Sequence, residues 1–105
     1  MTPEMVFDTL ALDGTDVTLH PVYDPVLHVF CVRVRRDGVI YPIGMGDSLQ
    51  YADQVLAVID DELARLGIRP LTGEESVYLY AGLVEAKGGP DWAIVRQEIE
   101  RVDAL

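Results

Sequence analysis

The chain has 105 residues, half of them hydrophobic, with 18 acidic against 8 basic side chains and a net charge of −10. This length and apolar content predict one domain over residues 1–105, able to bury a core without metal or disulfide help and too apolar to be a disordered tail. The acidity argues against direct contact with a nucleic-acid backbone, which needs clustered Lys and Arg. The lone Cys31 allows no intrachain disulfide, and no apolar run approaches the ~18 residues of a membrane span, so a soluble cytoplasmic protein is expected.

In chain order, "MVFDTLAL" and "VTLHPVY" flank Asp13-Gly14, and "VLHVFCVRVRR" and "VIYPI" flank Asp37-Gly38. Asp-Gly between alternating apolar runs is a strong hairpin signal, because both turn residues must reach positive φ. Tyr23-Asp24-Pro25 joins the hairpins, which predicts a four-stranded antiparallel meander over about residues 5–43. A two-residue turn at Asp37-Gly38 pairs Val34 with Tyr41 and Val32 with Ile43. Phe30, Val32, Val34, Val39, Tyr41 and Ile43 then share a face. The Asp13-Gly14 turn groups Val6, Leu10, Leu12, Val17 and Leu19. If the middle connection keeps parity, Leu19 lies beside Phe30 and the two apolar sets merge into one surface, which a one-residue slip would scatter. The second face is mixed: Phe7, Thr9, Asp16, Thr18, His20, Leu27, Val29, Cys31, Arg33, Arg35 and Ile40. The same register sets Asp16 opposite Arg33 and Thr18 opposite Cys31.

Gly44-Met45-Gly46 follows the last strand and invites a phosphate-loop reading, which its surroundings refuse. Leu49 occupies the third glycine position of a dinucleotide fingerprint, and the preceding strand belongs to a hairpin rather than a parallel βαβ unit. Asp47 brings negative charge to the place where a phosphate must sit, and the only lysine of the chain is Lys87. These glycines turn a strand into a helix.

That first helix is expected over about residues 48–66, capped by Asp47 or Ser48 and ended by Gly67 in the left-handed region. Leu49, Ala52, Leu56, Ile59, Leu63 and Leu66 make its apolar stripe. A second helix follows the capping box Thr72-Gly73-Glu74-Glu75 and runs over about 73–87, to Gly88-Gly89. Its apolar residues go nearly all the way round, as in a central or covered helix. A third starts at Pro90-Asp91 and spans about 90–104, with Trp92, Val95, Ile99 and Val102 on one side. Strands then helices mean an α+β domain with three helices on one sheet face.

Groups with chemical potential are few. His28 and Cys31, three apart on a strand, point to opposite faces and cannot share a metal. His20 and Cys31 share a face on adjacent strands, a thiol near an imidazole, but no third orienting group or oxyanion donor accompanies them. No cofactor or metal is expected. Arg33, Arg35 and Arg36 are too few for a nucleic-acid groove; they protect a strand edge or anchor a protein partner. On the first helix Asp53, Asp60, Asp61 and Glu62 form a row of acids with no base between Asp47 and Glu62. Asp53 and Asp60, one heptad apart, lie on a common side.

The functional expectation is a small acidic, non-enzymatic protein-binding module. Its partner surfaces are Asp53, Asp60, Asp61 and Glu62 together with Arg33 and Arg35, and its partner is a basic, nucleic-acid-handling protein. Immunity proteins, antitoxins and phage anti-defence proteins work in this way. The competing readings are a homodimeric adaptor or chaperone and, further off, an enzyme using His20 and Cys31. Acids that merely keep a half-apolar chain in solution are the plainest competitor.

Overall fold

The computed structural model describes residues 7–43, 49–89, 93–94 and 97–98. Four strands and two helices are described: β1 (Leu10–Ala11), β2 (Val17–Asp24), β3 (Val29–Arg36), β4 (Val39–Ile43), α1 (Ala52–Arg65) and α2 (Gly73–Lys87). The strands form one antiparallel sheet in the order β1-β2-β3-β4, so the α+β meander is present. Two helices stand where three were expected; the stretch expected as a third, 90–104, lies mostly outside the described residues. Val6, Asp47, Ser48 and Trp92 lie outside them as well.

The second hairpin follows its turn chemistry. Asp37 and Gly38 adopt φ of 51° and 77°, and Val34 pairs with Tyr41 and Val32 with Ile43. The other two connections are wider than expected. At the first, the Thr15 N–H and hydroxyl both donate to the Leu12 carbonyl, and the Leu12 N–H donates to the Val17 carbonyl. A four-residue loop, 13–16, results, with Gly14 at φ 78°. At the second, the Asp24 carboxylate accepts from the N–H groups of Val26 and Leu27 while the Asp24 carbonyl accepts from His28. This Asx arrangement makes a loop of residues 25–28. Leu19 therefore pairs with Val34, Phe30 with Tyr23, Arg33 with His20 and Cys31 with Val22. The pairings Leu19–Phe30, Asp16–Arg33 and Thr18–Cys31 are thus corrected. Both of these registers moved by an even number of residues, so every strand residue kept its face.

On the inner face Leu10, Leu12, Val17, Leu19, Phe30, Val32, Val34 and Ile43 are buried under the helices. Here α1 packs on β3, and α2 on β2 and β1. Val39 and Tyr41 share that face but remain 49% and 38% exposed, because β4 is the sheet edge beyond the helices. Phe7, expected on the mixed face, instead leaves the sheet and crosses α2. Its ring meets Tyr78 edge-on at 4.9 Å, and its N–H donates to Glu85 Oε1 at 2.8 Å.

Helix α1 begins at Ala52 rather than near 48. Gln54 supplies the cap, its Oε1 accepting from the N–H groups of Gln50 and Tyr51 at 2.8 and 3.0 Å. Ala52, Val55, Ile59 and Leu63 form its buried stripe, with Val55 at the centre and Leu56 only half-buried. It ends in a Schellman motif: Gly67, at φ 74°, donates to Ala64, and Ile68 donates to Leu63. Arg36, on the inner face, donates from Nη1 to the orphan Leu66 carbonyl and lies 3.6 Å from Asp16. It closes this helix end and does not belong with Arg33 and Arg35.

Helix α2 has the expected capping box, Thr72 and Glu75 bonding each other's N–H groups. Glu75 also takes a bidentate pair from Arg69, at 2.7 and 2.9 Å, while Arg69 reaches the Asp13 carbonyl of the first loop. These charged hydrogen bonds, Arg69 foremost, hold the buried Glu75 carboxyl down at about 2. A carboxyl lowered from 4.5 stabilises the fold above that pH and loses its contribution as pH falls towards 2. Glu75→Gln is therefore expected to cost about 2 kcal/mol at neutral pH. The gap to the parent should close as urea unfolding is repeated down to about pH 2.5. A gap unchanged with pH would mean that the Glu75 charge contributes nothing.

Candidate functional site

The four acids on α1 do not form one uniform row. Asp60 accepts the Leu71 N–H at 2.9 Å and so ties the start of α2 to α1. Glu62 pairs with Arg65 at 3.2 Å. Asp53 and Asp61 are exposed and have no hydrogen bond or ion pair among the described residues. Small or polar residues accompany them on the same surface, Gln54, Ala57 and Ala64 being exposed too. The outer face of α1 is low in relief and negative.

Arg33 and Arg35 lie on the opposite side of the molecule. The register builds two rows across the open sheet face, Ala11–Thr18–Arg35–Ile40 and His20–Arg33–Pro42. Both arginines are exposed, and Ile40 beside them is 56% exposed. The structure thus separates the six residues expected to bind a partner into an acidic helix face and a basic sheet face. Pro42, without an N–H, sits on the edge strand, where it interrupts a row of free backbone donors.

His20 and Cys31 do share the open face, as diagonal neighbours. His20 Nδ1 lies 3.4 Å from the Thr9 hydroxyl. Burial raises the Cys31 thiol pKa above its usual value, against smaller opposing effects from Arg33 and a backbone contact at Ile43. A thiol kept protonated is a poor nucleophile. His28 stands in the loop with φ 56°, its Nδ1 3.2 Å from the Tyr23 hydroxyl, away from Cys31. Among the described residues no group of three or more His, Cys, Asp or Glu could hold a metal ion, and no helix is long and apolar enough to cross a membrane.

Two hollows were not anticipated. The larger, about 400 Å³, lies between the first loop and the end of α1, but its arginines, Arg36 and Arg69, are already paired with Asp16 and Glu75. The other, about 230 Å³, opens between the start of α1 and the second half of α2. Phe30 and Val84 lie at its base, with Tyr51, Asp53, Tyr80, Lys87 and Ile94 around it. The Leu49 carbonyl accepts the Phe30 N–H at 2.7 Å, which anchors the chain before α1 beside β3 and so places Tyr51 and Asp53 at the rim. The exposed Tyr51 was the missed signal, because it reads as a residue inside a longer helix; Tyr80, exposed on α2, reads from the sequence as an aromatic anchor for a partner. Neither protein-family models, nor curated proteins, nor solved structures gave a match to this chain.

Proposed function

We propose that this chain is a small non-enzymatic protein-binding module that sets the outer face of α1 against a basic partner. It would act as an inhibitor of the immunity-protein, antitoxin or anti-defence kind. The observation that carries the reading is that Asp53 and Asp61 stand exposed on one helix with no counter-charge among the described residues, on a chain of net charge −10. Exposed, oriented charge accelerates encounter with an oppositely charged surface and sets specificity more than it deepens affinity. The raised thiol pKa of Cys31 supports a binding role over a nucleophilic one.

The test uses Asp53→Lys with Asp61→Lys, which spares Asp60 because that carboxylate holds Leu71 in place. Immobilised parent chain is expected to retain basic proteins at low salt that the double variant does not retain, and to release them near ~0.5 M salt. An identical set of proteins captured by both chains would make the α1 acids a solubilising surface only.

A further inference from the structure

We infer that the cleft between α1 and α2 receives one long cationic side chain, an arginine foremost, of the basic partner. The inference rests on the reading above and gives that partner a point of entry. Its base, Phe30 and Val84, is apolar and suits the aliphatic stem of such a side chain. Tyr51 and Tyr80 flank the opening at 61% and 38% exposure, large aromatic surfaces left in water without helping to close the core. A guanidinium stacks on such rings and sheds its hydration more readily than an ammonium.

Asp53 supplies the counter-charge. Among the described residues it is the one acid lining the cleft, and it has no hydrogen bond or ion pair with any of them. The cation of the cleft itself, Lys87, lies with its ammonium 6.0 Å from the centre of the Tyr23 ring. At about 230 Å³ the space is smaller than the ~300 Å³ at which drug-sized ligands begin to fit. One side chain suits it. A purely apolar ligand would desolvate the Asp53 carboxylate without pairing it.

Titration of the ¹⁵N-labelled chain with N-acetyl-argininamide tests this. Saturable shifts are expected at Tyr51, Asp53, Tyr80 and Val84, and the isosteric but neutral N-acetyl-citrullinamide is expected to bind about tenfold more weakly, the factor that ~1.4 kcal/mol of charge and cation–π contact gives. Asp53→Asn should weaken arginine binding by a similar factor while leaving the fold and the citrulline response intact. Tyr80→Leu should weaken it too. Asp61→Lys should leave it unchanged while reducing retention of basic proteins. Equal binding of the arginine and citrulline probes, shifts scattered away from the cleft, or an unaffected Asp53→Asn would overturn the inference. Loss of capture with Asp61→Lys alongside a silent cleft would leave the helix-face reading standing without it.

Discussion

Val34→Asp is expected to destabilise the fold strongly, removing a large share of its stability and lowering its melting temperature well below that of the parent. Val34 has no exposed surface, and it lies between Leu19 of β2 and Tyr41 of β4 beneath the helices. No described cation reaches it: Arg36, the nearest base on that face along β3, is engaged with Leu66 and Asp16. A carboxyl placed there must either remain charged without a partner or be protonated at neutral pH, and both are costly. A loss of about 4 kcal/mol or more is the expected scale for an unpaired buried charge, against a total stability of roughly 5–15 kcal/mol for a domain of this size. Arg35→Asp, one residue along and on the open face, should change stability by no more than about 0.5 kcal/mol. Thermal melts followed by circular dichroism decide between the two faces. A stable Val34→Asp beside an unfolded Arg35→Asp would invert the face assignment.

Gly82→Val carries the second large effect, and even Gly82→Ala should act against the usual rule. Glycine to alanine inside a helix ordinarily stabilises by about 1 kcal/mol. At Gly82 the added carbon would meet the Phe7 carbonyl oxygen and, at 2.8 Å, the ring of Pro21. A backbone carbonyl and a proline ring cannot rotate aside, so α2 itself would have to lift from β2. Overpacking of this kind costs about 1–3 kcal/mol. Alanine should therefore lower the melting temperature, and valine, with two further carbons, should lower it further. Gly82→Ala melting above the parent would show that Phe7 does not cross α2 as described. The strand proline has its own reason: β1 begins at Leu10, opposite Leu19, so β2 has no described strand neighbour on that side at Pro21.

Local chemistry made part of this fold legible. Asp37-Gly38 admits a two-residue turn and little else, so the β3–β4 register could be counted directly. Thr72 and Glu75 marked the start of α2, and Gly67 the end of α1, because caps answer to a few backbone groups within one turn. The loops at 13–16 and 25–28 were harder. Thr15 and Asp24 each bond backbone groups that a tighter turn would have used, and propensity alone does not rank those options. The faces survived because apolar alternation, rather than loop length, decides which side is buried. Gln54 acting as the cap of α1 was hidden among other polar residues near that end.

The candidate site was legible only as residue types. Asp53, Asp60, Asp61 and Glu62 could be seen as acids on one helix, but not that Leu71 and Arg65 engage two of them. The opposition between the acidic α1 face and the Arg33–Arg35 sheet face is a product of tertiary placement. So is the cleft, since Tyr51, Tyr80 and Ile94 come from distant parts of the chain and meet only once α1 and α2 pack.

Whether α1 presents its acids to a partner is decided by the association rate between this chain and a basic protein it retains, followed across ionic strength. The parent rate should fall steeply from low salt to ~0.5 M, and Asp53→Lys with Asp61→Lys should reduce the low-salt rate about tenfold or more while barely altering the high-salt rate. A parent rate that does not depend on salt, matched by the double variant, would contradict the claim that α1 presents its acids to a partner.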